Sequence, residues 1–314
     1  AVSFDERRSG WGKRLHAVKS IDLTVGKGET IAVVGESGSG KTSLVRAVLG
    51  LIPADSGAVS FLGKPLSPLV NGRPNSIRRH LQMVFQDPIA SLNPAMSVAE
   101  IIAEPLKIHG KAIGIGDPKA EALAMLGRVG LDVDLASRYP HELSGGQAQR
   151  VAIARSLVMQ PDVLICDEAV AALDGTVRQG ILALLTKEQR RSGLSLVFIT
   201  HDLAVVRQIS HRILVMYMGR LCELAGNDRL FERPRHPYSK ALLRSVPVAD
   251  PAAAAEDVPL PGETSSMLQP PSGCAFHPRC QHAIAICSEQ VPHATECSGV
   301  IVACHRAEEL DLSY

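Results

Sequence analysis

The stretch TIAVVGESGSGKTS, Thr30 to Ser43, constrains the fold more than any other part of the chain. It reads as a short apolar strand, a glycine-rich turn and a helix that opens TSLVRAVLGL. It fits G-x-x-x-x-G-K-S/T with Gly35, Gly40, Lys41 and Thr42. Glycines let the backbone wrap closely, so that amide N–H groups converge on phosphate oxygens. The helix N-terminus adds its partial positive charge. The candidate phosphate-binding residues are Gly35, Ser37, Gly38, Ser39, Gly40, Lys41, Thr42 and Ser43. Lys41 is placed to reach the β- and γ-phosphates, and Thr42 to hold Mg²⁺. An ordinary glycine-rich turn does not require strand and helix on these two sides. The stretch is read as a phosphate loop, and the fold class as α/β.

A second segment, PDVLICDEAVAALD (Pro161 to Asp174), carries a continuous apolar run from Val163 to Cys166, as expected of a parallel strand covered on both faces. Two acids follow at its carboxyl end, where open α/β sheets place their ligands. Asp167 is expected to complete the Mg²⁺ shell, and Glu168 to orient or deprotonate an attacking water. Paired acids after a strand also serve as solvated helix caps. The phosphate loop upstream weighs against that blander reading.

A third segment, ELSGGQAQRVAIARSL (Glu142 to Leu157), sets two glycines at the start of an apolar-periodic helix. Each costs about 1 kcal/mol relative to alanine inside a helix, which calls for some compensation. Ser144 can serve there as a simple N-cap. The run Leu143-Ser144-Gly145-Gly146-Gln147 nevertheless matches the whole signature motif of ATP-binding-cassette (ABC) ATPases. MVFQDP resembles their Q-loop, with Gln86, and VFITHD their switch histidine, His201. With five motifs in order, the resemblance covers essentially the whole chain.

The resemblance implies an ABC-type ATPase core with an antiparallel β subdomain, a helical insert and a C-terminal cysteine-rich extension, using ATP and Mg²⁺. It implies a head-to-tail pair of cassettes, each ATP lying between one phosphate loop and the other cassette's Ser144, Gly145, Gly146 and Gln147. Gln86 would then sense Mg²⁺ and the attacking water, His201 would contact the γ-phosphate, and Asp174 would lie in the loop crossing the dimer. The family stacks an aromatic ring from near the N-terminus on adenine; Phe4 is the candidate here and Trp11 the second choice. The chain departs from the pattern at Ala169, where proline is usual, at Ala171, where related importers commonly carry serine, and at Ala148, in place of a bulkier polar residue. None of these removes a charged group, so the site is read as competent.

Composition limits the setting. Net charge is +1, with 33 basic against 32 acidic residues, which makes no electrostatic case for nucleic acid. No apolar run approaches the roughly 18 to 20 residues that span a bilayer, and no signal-peptide pattern opens the chain. These features predict a soluble protein able to dock on a membrane protein. The chain opens at Ala1, and both a separate subunit and one half of a fused double cassette suit it.

The expected organisation is a core over residues 1–87 and 160–231, a helical insert over 88–159 and an extension over 232–314. Apolar residues recur at helical spacing from Val98 to Leu106 and from Leu123 to Leu131 within the insert. ADPAAAAEDVPLPGE, Ala249 to Glu263, reads as a linker or extended arm.

The segment Arg235-His236-Pro237-Tyr238 and the helix after it resemble the C-terminal extension of the oligopeptide, dipeptide and nickel importer ATPases, and QDPIASLNPAMSVAEIIAEPL resembles their stretch after the Q-loop. The implied function is an ATPase subunit of a bacterial importer for oligopeptides or dipeptides, with nickel or another small solute as the alternative cargo. The implied partners are a second cassette, two transmembrane permease subunits and, indirectly, an external substrate-binding protein. The place is the cytoplasmic face of the plasma membrane. A soluble twin-cassette ATPase outside transport and a non-hydrolysing regulatory cassette are the competing classes. Near-zero charge and the importer-like tail oppose the first, and intact Glu168 and His201 oppose the second.

Five of the seven cysteines (Cys274, Cys280, Cys287, Cys297 and Cys304) fall in the last 41 residues. A reducing compartment disfavours a disulfide framework, leaving thiolate ligation of a metal as the main alternative. The C-x5-C-x6-C spacing is not the paired C-x2-C of common zinc modules. By resemblance to the peptide-importer tail, which ends in a Cys-His pair like Cys304-His305, the ligands are Cys274, Cys280, Cys287 and Cys304 and the group a 4Fe–4S cluster. Cys297 is an extra or substitute, zinc the alternative metal, and free structural thiols the remaining reading.

Overall fold

The computed structural model describes residues 2–5, 14–66, 75–109, 114, 116–171, 173–244 and 266–312. The proposed linker Ala249 to Glu263 and Trp11 lie outside them. Two compact units divide the chain: residues 1–24, 31–73 and 200–314 form the first, and residues 25–30 and 74–199 the second.

In the first unit, Ile31 to Val34 of the strand Thr30–Val34 are buried and pair parallel with the strand Arg212–Tyr217. A two-residue turn at Met218 and Gly219, both at positive φ, leads into the antiparallel strand Arg220–Gly226. The cysteine tail continues this sheet. Val300–Val302 pairs antiparallel with Arg220–Gly226, placing Val302 beside Glu223, and Thr295–Cys297 closes the edge. The core beneath combines Val34, Val206, Ile213, Val215 and Leu230 with Tyr217, Tyr238 and Phe276. Each such side chain contributes about 2 kcal/mol on burial. Residues from the tail and from the central strands therefore share one core. The shorter antiparallel pairs Val2–Asp5 with Arg14–Val18, and Ser60–Phe61 with Lys64–Pro65, complete the unit's strands among the described residues.

The second unit holds three parallel strands, Leu81–Val84, Val163–Asp167 and Ser195–Ile199, in that spatial order. Residues 88–159 carry helices. Val98–His109 buries Val98, Ile101, Ile102 and Leu106 on one face and runs on through Pro105. The next helix, Pro118–Arg128, starts where Asp117 accepts the Lys119 N–H and Pro118 takes the first position, which needs no donor. Both pack against Gly145–Leu157, whose Ala148, Val151, Ala152 and Ile153 are buried. Ala148, the departure after the signature, is small because it lies in this interior.

Candidate nucleotide site

The candidate phosphate loop, Gly35 to Ser43, lies in the first unit. Gly35 has φ 150°, and a Cβ there would overlap the carbonyl oxygen of Met216. Gly40 has φ 97°, with the carbonyl of Ala17 in the way of a Cβ. Main chain presses on both ends of the loop, so no side chain fits at either glycine. Gly40 is also the N-cap of the helix Lys41–Val48 and offers no side chain to cap it.

Lys41 is buried, and its Nζ donates to the carbonyls of Gly35 and Glu36 at 2.8 Å each and to Ser39 Oγ at 3.3 Å. Ser39 is buried, and its carbonyl accepts from Gly219 N–H at 2.9 Å. Ser37 and Gly38 form the exposed tip, while Thr42 and Ser43 are half-buried in the first helical turn. His201 belongs to the same unit. It is exposed in the turn where Thr200 Oγ1 accepts from Asp202 N–H at 3.0 Å, and Asp202 caps the helix Leu203–Ile209.

The second unit carries the remaining groups. Asp167 ends its strand buried. Glu168 follows with φ 50°, a left-handed backbone that costs a side-chain-bearing residue about 1–2 kcal/mol. Its Oε2 accepts from Gln86 Nε2 at 2.9 Å, across 82 residues of sequence. The Q-loop glutamine and the acid after the strand are thus brought together.

At the signature, Ser144 does serve as an N-cap. Its Oγ accepts from Gln147 N–H at 3.3 Å, while Gln147 Oε1 accepts from Ser144 N–H at 2.9 Å, a reciprocal capping box. A Cβ on Gly145 would meet nothing within 4 Å, whereas one on Gly146 would come 2.7 Å from Val177 Cγ1. Val177 lies in the first turn of the helix Gly175–Ser192, where its N–H donates to the capping Asp174 at 2.9 Å. Signature and Asp174 therefore adjoin through a glycine contact. Phe4 sits in the strand Val2–Asp5 opposite Leu15, and its side chain, like Trp11, lies outside the described structure.

The family described as ABC transporter matches residues 18–171, and that described as Oligopeptide/dipeptide transporter, C-terminal region, matches residues 222–287. A probable peptide ABC transporter ATP-binding protein, y4tS of Sinorhizobium fredii, is 46% identical over 95% of this chain and 85% of its own. The oligopeptide transport ATP-binding protein OppF of Salmonella typhimurium is 46% identical over 91% of this chain and 88% of its own. The chain belongs to the ATP-binding subunits of the oligopeptide/dipeptide ABC transporter family. It is an ABC-type ATPase coupled to transport. Among solved structures, the ATP-binding cassette MJ0796, a dimer in a post-hydrolysis state bound to ADP and Pi, is similar at TM-score 0.62 and 28% identity, covering 72% of this chain and 96% of that one. CbiO1 from Clostridium perfringens, part of the ABC transporter complex cbiONQ, matches at TM-score 0.59 and 30% identity over 73% and 87%. No helix among the described residues is long and apolar enough to cross a membrane.

Two contacts of this ABC subunit were not foreseen from its sequence. Tyr238, fully buried, accepts the N–H of Glu36 in the phosphate loop at 2.9 Å. Arg279, from the tail, places Nη1 3.0 Å from each carboxylate oxygen of Glu36. His236 explains how the turn before Tyr238 is held: its Nδ1 accepts from Tyr238 N–H at 3.0 Å, and Glu223 accepts the N–H groups of Arg235 and His236 at 2.9 Å each. Burial pushes His236 down to about 4 and keeps the ring neutral.

In the tail, Cys274, Cys280, Cys287 and Cys304 line one pocket with His277, His282 and His305. Cys274 N–H donates to the Cys287 carbonyl at 2.8 Å, which ties two of the four together. Cys297 is not among the residues lining this pocket; it is buried in a cluster with Val302 and Ala307, against which Cys304 packs. All of these thiols are free, and burial pushes Cys304 up to about 11. Among the described residues, no group of three or more His, Cys, Asp or Glu side chains is arranged to hold a metal ion. The expected iron–sulfur cluster, and equally the zinc alternative, thus finds a gathered donor set but no formed coordination geometry.

Proposed function

We propose that the chain hydrolyses ATP as one of two cassettes powering import of oligopeptides or dipeptides through two transmembrane permease subunits, with an external binding protein delivering the cargo. Its place is peripheral, at the cytoplasmic face of the bacterial plasma membrane. Family membership supports the transport role. The hydrogen bond from Gln86 to Glu168 carries the chemical reading.

In this reading the loop residues Gly35, Ser37, Gly38, Ser39, Gly40, Lys41, Thr42 and Ser43 bind the phosphates, and Phe4 stacks on adenine. Thr42, Asp167 and Gln86 offer the hard oxygen donors that suit Mg²⁺, which when bound neutralises charge on the β- and γ-phosphates. Glu168, oriented by Gln86, positions a water and takes its proton as the water oxygen bonds to the γ-phosphorus. The bond to the bridging oxygen breaks, leaving ADP and inorganic phosphate. His201 steadies the γ-phosphate. Ser144, Gly145, Gly146 and Gln147 serve the partner cassette's nucleotide, and Asp174 crosses to it. In the tail, Cys274, Cys280, Cys287 and Cys304 supply the four thiols that a 4Fe–4S cluster acting as a structural clamp or sensor would need.

Glu168→Gln in the assembled transporter tests the chemistry. Nucleotide binding is retained and turnover falls about 10²- to 10⁴-fold, the range for loss of a positioned general base. Wild-type turnover in that variant would remove Glu168 from the role. Co-purification with permease subunits supports transport, whereas capture of ribosomes or DNA instead would replace it.

A further inference from the structure

Glu36, in the phosphate loop, is held from three directions. Its carbonyl accepts from Lys41 Nζ at 2.8 Å, its N–H donates to Tyr238 Oη at 2.9 Å, and its carboxylate receives Arg279 Nη1 at 3.0 Å on each oxygen. The last two partners lie 202 and 243 residues downstream. The loop that binds phosphate is thus gripped by the C-terminal extension within one unit.

The grip is rigid on the extension's side. Tyr238 is fully buried, its ring 4.7 Å from Tyr217 and 5.2 Å from Phe276, and its backbone N–H is taken by His236. The Arg279 side chain is 5% exposed, donates to Tyr217 Oη at 3.2 Å and stands 5.9 Å over that ring. A guanidinium so enclosed has little rotamer freedom left to lose, and a charge-assisted bond at this depth is among the stronger contacts a loop can have. Arg279 also sits between Cys274 and Cys280 in the short turn His277–Arg279, so the tail sets where its guanidinium stands.

We propose that Tyr238 and Arg279 are positioning residues for ATP. They hold Glu36, and through it the Lys41 ammonium and the loop entrance, in the shape that receives the phosphates. The Glu36 N–H is committed to Tyr238, so the amides offered to phosphate come from later in the loop. The tail is then part of the nucleotide site's support as well as a terminal appendage. This inference rests on the assignment of Gly35 to Ser43 as the phosphate loop.

The test measures Mg–ADP binding to the full-length chain by calorimetry, which needs neither partner cassette nor hydrolysis. Glu36→Gln and Arg279→Gln each weaken binding about tenfold, as loss of one charge-assisted hydrogen bond allows. The double variant weakens it about tenfold rather than a hundredfold, because both remove the same contact. Arg279→Lys recovers part of the loss. Tyr238→Phe, which keeps the ring packing, weakens binding about fivefold and covers the case in which an Arg279 variant fails to fold. Wild-type affinity in folded Arg279→Gln and Tyr238→Phe, or a fully multiplicative double variant, would overturn the brace. Lys41→Ala separates the two levels. If it alone loses binding, the brace is wrong and the loop assignment stands; if it too binds as wild type, the loop assignment itself falls.

Discussion

Gly146 faces Val177 so closely that a Cβ on the glycine would come 2.7 Å from the valine's Cγ1, while its neighbour Gly145 faces open space. Two adjacent glycines therefore answer to different physics. Gly146→Ala is expected to destabilise the chain by about 1–3 kcal/mol, because a β-branched side chain next to a capped helix start has little room to move. Gly145→Ala is expected to be neutral or to stabilise by up to about 1 kcal/mol through helix propensity alone. Denaturant midpoints of the two variants settle this. Equal destabilisation would show that Val177 is not the cause. A stable Gly145→Ala with lowered turnover in the complex would place that glycine's function outside its own chain.

His236 makes stability depend on pH. Its pKa falls from 6.5 to about 4 on burial. Between those values the unfolded chain binds a proton that the folded chain refuses. The contribution is complete above pH 6.5, shrinks as pH falls, and levels off below about 4, a total of roughly 3 kcal/mol. Glu223 beside it shifts the opposite way from its ordinary value, raised by burial. Comparing the wild type with His236→Gln isolates the histidine, because both chains keep Glu223. Urea midpoints at pH 7.5 and 5 fall less in the variant. Parallel curves would mean that His236 titrates normally.

The chain alone is expected to hydrolyse ATP poorly. Its phosphate loop and its Ser144-to-Gln147 signature are proposed to serve two different nucleotides, so each complete site needs a partner cassette. Turnover per chain should rise steeply with cassette pairing, followed by light scattering in the same solution. A preparation that stays monomeric with ATP and matches the complex in rate would sink the paired-cassette reading.

Iron content decides the tail. Protein purified anaerobically should be brown and carry about four iron and four sulfide per chain. Replacing any one of Cys274, Cys280, Cys287 or Cys304 by serine should bleach it, while Cys297→Ser keeps the colour. Colourless anaerobic protein with stoichiometric zinc would leave a metal clamp without the cluster, and metal-free protein would leave four free thiols.

The glycine turn between strand and helix at Gly35 to Lys41, the buried strand ending at Asp167 and the capped helix start at Ser144 were legible in the sequence because each is contiguous and is set by local rules. Strand burial, glycine geometry and helix capping act over a few residues. The helix from Val98 was legible for the same reason, since Val98, Ile101, Ile102 and Leu106 mark one helix face. Its end at His109, beyond Pro105, was not, because packing outweighs a local breaker. Contacts between distant segments left no such mark. Gln86 meets Glu168 across 82 residues, and Glu36 meets Tyr238 across 202. The sequence determined which chemical groups the chain owns and the local backbone that presents them. Only the tertiary structure decided that the tail would join the sheet at Glu223 and reach back to the phosphate loop, because that choice depends on which buried surfaces and polar groups find partners after the chain has closed on itself.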